Sequence, residues 1–195
     1  GGTSIKTCKP VLGRIEVCNN RYGRNGWLGV ASIWINSTGH ITQSAVKMND
    51  SYFNSKPYNT PVWKNSVMCQ EIGHTFGLDH QDENFSNPPL GSCMDYSSDP
   101  TLNQHPNQHD FEQLATIYGH FDFTNTISQN LSRLGRLVGI GAKEVSASTK
   151  QNEEDEEWGK PIRESHDKRN SLYEKHIDKG EKVYTFVIWA DQSHK

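Results

Sequence analysis

The sequence predicts an α+β fold, with strands near both ends of the chain and a helix between them. Short apolar or alternating segments in the first 50 residues have the two-residue period of strands. Residues 60–76 instead space their apolar side chains at the helical period. Residues 171–190 form two strand-like arms around Asp178-Lys179-Gly180, which predicts a β-hairpin.

The segments that precede the helix predict three strands. The first alternates through Ile15 and Val17, and the second, WLGVASIWI, is apolar on both faces and is therefore expected inside a sheet. Residues 36–39 predict a turn and residues 51–59 a loop. The three predicted strands are 13–19, 27–35 and 40–48.

The central helix has clear signals at both ends. Thr60 offers a capping hydroxyl and Pro61 suits the first helical position. Gly77 should end the helix, since glycine readily adopts the left-handed conformation found past a C-terminus. Two further helices are predicted, at 107–118 and 128–137, and the chain between Asp79 and Gln108 is expected to be loop.

Composition restricts the possible functions. The chain has 195 residues, 33% of them hydrophobic, a net charge of −3 and a pI of about 6.3, so we expect neither nucleic acid nor an acidic membrane surface as a partner. No apolar run reaches the roughly 20 residues of a membrane helix. No signal peptide is visible, and any targeting segment would lie upstream.

Charge suggests a division of the chain. The acidic run from Glu153 to Glu157 repels itself and is expected to stay solvated. We therefore predict a main domain at 1–140, an acidic linker or surface excursion at 141–160, and a hairpin at 161–195 docked on the main domain.

The most informative segment is CQEIGHTFGLDH at residues 69–80. It follows the zinc-protease pattern H-E-x-x-H-x-x-G-x-x-H, except that Gln70 replaces the first histidine. Positions 70 and 74 share a helix face, and a bend at Gly77 can return His80 to the same point. Three side chains would then converge on one ion and leave a coordination position open, as in catalytic zinc sites. Glu71 lies beside this face, where it can accept a proton from water.

A second motif, SCMDY at residues 92–96, makes the pattern more specific. The extended helix motif followed by a methionine turn resembles the metzincin clan of zinc endopeptidases. Met94 matches the methionine beneath the metal, and Tyr96 matches the tyrosine that lies near zinc in the astacin and serralysin branches. The resemblance covers roughly residues 27–120. Met94 and Tyr96 could also be ordinary packing residues.

The resemblance implies a metzincin-like α+β fold with a mixed sheet, an active-site helix, a methionine turn and a second helix. It implies a monomeric Zn²⁺ endopeptidase that binds a protein or peptide along an edge strand. Its metal ligands would be Gln70, His74 and His80. Glu71 would activate water, and Tyr96 would stabilise the oxyanion.

Gln70 is the departure from the clan, whose zinc ligands are three histidines. An amide oxygen is a harder and weaker zinc ligand than imidazole, so affinity should fall. Three interpretations remain open: Gln70 is a ligand, the metal is held by His74 and His80 with a ligand from elsewhere, or the site is impaired or metal-free. The last interpretation supports an alternative function, a protease-derived binding module without catalysis.

The four cysteines allow three pairings. Cys8 and Cys18 flank a short segment and are predicted to form a local bridge, and Cys69 would then pair with Cys93. Four reduced thiols in a cytosolic protein are the alternative. We favour disulfides and secretion, because the metal-site motif belongs mostly to extracellular chemistry.

Two other groups of residues have side chains that can bind metals. His105 and His109 are four apart, but Pro106 between them suggests a helix start rather than one helical face. Asp79, Asp82, Asp95 and Asp110 could hold calcium, although no ligand spacing supports it.

Overall fold

A six-stranded mixed sheet is the frame of the structure, a computed structural model that describes residues 7–122 and 157–191. The strand order is β1-β3-β2-β6-β5-β4, with β1 and β3 parallel and the other neighbours antiparallel. The strands are β1 (Ile15–Asn20), β2 (Trp27–Ile35), β3 (Ile41–Asn49), β4 (Lys160–Glu164), β5 (Asn170–His176) and β6 (Lys182–Trp189). The helices are α1 (Asp50–Phe53), α2 (Pro61–Thr75) and α3 (Gln108–Ile117).

The predicted α+β class is confirmed, as are the first three strands, the C-terminal hairpin and the central helix. β2 lies inside the sheet, between β3 and β6, as its apolar composition predicts. The further resemblance to the metzincin fold stays a prediction, and so does the division at residues 140 and 160. The third predicted helix, 128–137, lies outside the described residues.

One prediction of local structure is wrong, and one strand was not predicted. The loop expected at 51–59 begins with α1, because the side chain of Asn49 caps it by accepting a hydrogen bond from the Ser51 N–H (3.1 Å). The strand that was not predicted is β4, whose short KPIRE sequence carries little strand signal. Pro161 fits there because β4 is an edge strand, where a missing N–H costs no ladder bond.

Helix α2 forms as its terminal signals predict. The Thr60 hydroxyl accepts a hydrogen bond from the Trp63 N–H (3.3 Å), and Pro61 occupies the first turn. Gly77 adopts a φ of 88°, which reverses the chain after the helix. None of the helices within residues 7–122 and 157–191 is long and apolar enough to cross a bilayer.

Apolar clusters pack on both faces of the sheet. On one face, Leu28 of β2 and Ile188 of β6 pack with Val67 of α2. On the other face, Val30 and Val187 pack with Trp158, which precedes β4. The C-terminal strands therefore share the core of the sheet with the N-terminal ones.

Two disulfides join Cys8 to Cys18 and Cys69 to Cys93, the pairing favoured from the sequence. The second bridge links α2 to the loop that carries Met94. Disulfides persist in oxidising compartments, so both bridges are compatible with a secreted protein.

Candidate metal centre

The last two turns of α2 bury four polar side chains, three of which lie at the specified positions of the zinc-protease pattern. Gln70, Glu71 and His74 are 3%, 1% and 1% exposed. Residues 70 and 74 share a helix face, as their spacing predicts. Three polar groups are costly to bury together unless they have partners or a function.

The two histidines of the motif meet at their Nε2 atoms. The Nε2 atoms of His74 and His80 are 3.0 Å apart, and the ring planes are nearly perpendicular (86°). The left-handed bend at Gly77 makes this possible, because it turns the chain back toward α2. The structure thus brings these two predicted ligands together.

The outer nitrogen of each ring has its own partner. His74 Nδ1 donates to the Leu78 carbonyl (2.8 Å), which can only accept, so His74 Nε2 carries a lone pair in the neutral ring. His80 Nδ1 contacts the Tyr96 hydroxyl (2.8 Å), which can donate or accept. The neutral His80 ring can therefore carry its proton on either nitrogen. With the proton on Nδ1, the Nε2 lone pairs of both histidines are available to a metal. With the proton on Nε2, His80 donates a hydrogen bond to His74 Nε2.

Burial keeps both rings neutral. It lowers the pKa of His74 to about 4. Burial also places the pKa of His80 well below its ordinary value, and the charge of a protonated His74 lowers it further. Neutral imidazole is the form that binds metals, so the pair is ready for ligation at neutral pH.

Glu71 is buried beside the crossing of α2 and β2. Burial raises the pKa of its carboxyl well above the ordinary value, and Oε2 has no hydrogen-bond partner within the described part of the chain. Gly29 of β2 permits this approach, since a Cβ there would be 2.7 Å from both Glu71 Oε1 and Val67 Cγ1. A buried carboxyl with an unpartnered oxygen is more typical of a functional group than of a structural one.

Met94 lies fully buried against α2, next to the disulfide of Cys93. Its sulfur is the nearest atom to the position that a Cβ on Gly73 would occupy, so the helix and the Met94 loop pack closely. The Ser92 hydroxyl accepts from the Met94 N–H (2.9 Å) and fixes the turn. This packing explains Met94 whether or not a metal lies above it.

Tyr96 contacts His80 on the side of the ring opposite Nε2. The tyrosine is 2% exposed and its ring stacks on Phe85 with centroids 4.8 Å apart. Burial raises the pKa of its hydroxyl, which stays protonated. In this structure Tyr96 therefore orients His80, and its predicted contact with an oxyanion stays a prediction.

Two residues of the C-terminal strands also contact the site. The sequence did not indicate either of them. Phe186 of β6 stacks on the His74 ring at 3.9 Å with an interplanar angle of 8°. Arg163 of β4 forms a two-pronged ion pair with Asp79 and a second ion pair with Glu83 (3.1 Å). These partners are more than 75 positions apart in sequence, so no local pattern could have indicated them.

The spacing of the two imidazole nitrogens is compatible with a shared zinc ion. Two nitrogen ligands about 2.0–2.1 Å from a tetrahedral zinc are about 3.3 Å apart, close to the observed 3.0 Å. No group of three or more His, Cys, Asp or Glu side chains is placed to hold a metal in residues 7–122 and 157–191. The third donor expected from the sequence, Gln70, is of none of these four types, and its amide oxygen could serve from the preceding turn of α2.

The other residues considered as metal ligands have different surroundings. The oxygens of Asp110 accept hydrogen bonds from Ser92 (2.5 Å) and Gln81 (2.6 Å), and Asp95 accepts from the Leu90 N–H (2.8 Å). Asp79 is paired with Arg163. His105 and His109 are both exposed. These contacts account for Asp79 and Asp110 without calcium, whereas Asp95 Oδ1 has no hydrogen-bond partner among the described residues.

No protein-family model, curated protein or solved structure matches this chain.

Proposed function

We propose that this protein is a zinc-dependent endopeptidase whose metal is held by Gln70, His74 and His80. The supporting observation is the convergence of two neutral imidazoles, with Nε2 atoms 3.0 Å apart and both Nδ1 atoms engaged elsewhere. Second partners at Nδ1 are typical of histidines that bind metals, because they fix the ring orientation. The buried Glu71 one position after Gln70 supplies the group that hydrolysis needs.

The reaction would depend on Glu71 as general base. A bound zinc ion would acidify water and polarise the carbonyl of the scissile peptide bond. Glu71 accepts the proton of the attacking water and passes it to the leaving amine nitrogen. Burial raises the pKa of Glu71, and a divalent cation nearby would lower it again, which favours the carboxylate form of the base.

Two further residues act on this reaction. Tyr96 orients His80 through the hydrogen bond to Nδ1, and its hydroxyl would reach a developing oxyanion only after leaving that bond. Phe186 fixes the plane of His74 by stacking on it. We expect a protein or peptide substrate, which would bind as an extended strand.

Replacement of Glu71 by glutamine tests the mechanism. Glu71→Gln should retain stoichiometric zinc and lose about 10²–10⁴-fold in the rate of peptide hydrolysis, because the shape of the side chain is kept and its basicity removed. Zinc is measured by elemental analysis of protein purified without chelators. Glu112→Gln, on the exposed surface of α3, is the matched control and should change neither quantity. Near wild-type hydrolysis by Glu71→Gln would exclude the mechanism.

The alternative, a binding module derived from a protease, is favoured by one observation. His74 is 1% exposed and the His80 side chain 5%, so a peptide bond cannot reach them in this conformation. The same elemental analysis distinguishes the candidates, since the module would contain no transition metal whereas the enzyme would contain zinc in a 1:1 ratio.

A further inference from the structure

Strand β2 would form an edge of the sheet if the C-terminal strands were absent. It pairs with β3 on one side and with β6 on the other. In this sheet, β2 is the strand that connects β4, β5 and β6 to the N-terminal strands β1 and β3. The same β2 crosses α2 at Glu71, where Gly29 allows the close approach. An unpaired edge beside a catalytic helix is where an extended peptide can add by β-augmentation. Here that position is occupied by this chain's own β6.

The occupying strand also covers the two histidines. Phe186 is opposite Ala31 of β2 and stacks its ring on His74. Leu172 of β5 is opposite Phe186 and lies beside His80 and Tyr96. The strands β4–β6, residues 160–189, are hereafter called the C-terminal meander. They exclude any peptide from both the edge and the metal centre.

The meander contacts the site in two ways. Phe186 makes an apolar contact with His74, and the outer strand β4 makes a polar contact with the loop that carries His80. Arg163 of β4 is paired with Asp79 and Glu83, which belong to the loop that carries His80. The Arg163 side chain is 36% exposed, so this attachment is accessible to solvent, whereas Phe186 is 8% exposed. Ion pairs of this exposure contribute little to stability, so opening this polar attachment costs little, and the β2–β6 pairing provides the rest of the closure.

We propose that the C-terminal meander is an autoinhibitory element, which holds the β2 edge in place of a substrate and closes the metal centre until it is displaced. This inference rests on the proposed function, because it concerns access to the same site. The apparent affinity for a peptide is then reduced by the small fraction of molecules in which the meander has moved.

Two engineered disulfides in the full chain test the proposal. Ser32 and Thr185 are opposite each other on β2 and β6, with hydroxyl oxygens 3.0 Å apart, so Ser32→Cys/Thr185→Cys would lock the meander onto β2. Ser171 and Val187 are opposite on β5 and β6, so Ser171→Cys/Val187→Cys would lock the meander only to itself. The second variant is the matched control for the first. The probe is a short peptide hydroxamate, which binds zinc without being hydrolysed.

We expect the lock on β2 to weaken hydroxamate binding by at least about tenfold, because the open state is removed. Mild reduction should restore binding, while the control variant should bind like wild type before and after the same treatment. Arg163→Leu should strengthen binding about two- to fivefold, in line with the loss of a partly exposed ion pair. Its control is Lys182→Leu, which removes the ion pair with Glu174 inside the meander, and it should have no effect.

Equal hydroxamate affinity in the locked variant, its control and wild type would overturn the autoinhibition while leaving the peptidase proposal intact. A different result would overturn the enzymatic function and keep the autoinhibition. In that case the chain binds zinc and the Ser32→Cys/Thr185→Cys disulfide weakens hydroxamate binding, but Arg163→Leu hydrolyses no peptide. Absence of zinc from the wild-type chain would overturn both.

Discussion

Under the proposed function, the side chain at position 70 would determine how strongly the site holds a metal. Gln70 is buried on the same face of α2 as His74, which is where a first metal ligand is expected. Its side chain ends in an amide instead of an imidazole. An amide oxygen keeps the charge of the site unchanged relative to a neutral imidazole. It is nevertheless a weaker partner for zinc, and the site should bind zinc less tightly than one with three histidines.

Replacing Gln70 by histidine measures how much zinc affinity the glutamine loses relative to an imidazole ligand. Gln70→His should raise zinc affinity by at least about tenfold, because imidazole is the preferred ligand. Competition with a chromophoric chelator gives the dissociation constant. Gln108→His, on the exposed face of α3, is the control and should leave it unchanged. An unchanged constant in Gln70→His would show that position 70 contributes no ligand, and the metal would then depend on His74, His80 and another group.

Helix α3 supports the site from a distance through its first turn. Asp110 is 1% exposed and accepts hydrogen bonds from Ser92 (2.5 Å), Gln81 (2.6 Å) and the Asn107 N–H (2.8 Å). Ser92 begins the turn of Met94, and Gln81 follows His80. One buried carboxylate therefore connects α3 to the loops that carry Met94 and His80.

Removing this carboxylate should loosen the connection. Asp110→Ala should lower the free energy of unfolding by about 1–3 kcal/mol, because three donors lose a buried acceptor. Urea denaturation followed by circular dichroism measures the change. Asp99→Ala, in the exposed loop before α3, is the control and should cost less. If added calcium stabilised the wild type but not Asp110→Ala, Asp110 would be a calcium ligand and the hydrogen-bond interpretation would be wrong.

The six-stranded sheet joins the two ends of the described chain. β6 lies between β2 and β5, so the meander and the N-terminal strands stabilise each other. Within the meander, Glu174 accepts hydrogen bonds from Tyr184 (2.6 Å) and Lys182 (2.9 Å). The contact with Tyr184, followed by those with Lys182 and His176, lowers the pKa of Glu174 to about 2.

This shifted pKa predicts how stability depends on pH. Unfolding returns the pKa of Glu174 to its ordinary value of 4.5, so the contribution is fully present above that pH. It should be lost as the pH falls from about 4.5 toward 2, where the native carboxylate also becomes protonated. Urea midpoints measured across this range should therefore fall less steeply in Glu174→Gln than in wild type. Glu164→Gln, on β4, is the control, and identical slopes in wild type and Glu174→Gln would refute the prediction.

Local sequence was sufficient for the elements whose signals are short-range. Thr60, Pro61 and Gly77 define the ends of α2 because capping and left-handed glycine act within a turn. The same spacing rules place His74 on the face of α2 that meets His80. Strand β4 was missed because a five-residue edge strand with an internal proline has almost no periodic signal.

The sequence alone determined the α+β class, the central helix, the convergence of His74 with His80 and the favoured disulfide pairing, because each depends on spacing or on a small number of alternatives. Only the folded chain decided that Phe186 and Arg163 would close over the histidines and that β6 would occupy the edge of β2. Strand pairing between distant segments depends on the packing of whole faces, for which no local pattern exists. Access to the proposed metal centre is therefore a property of the tertiary structure.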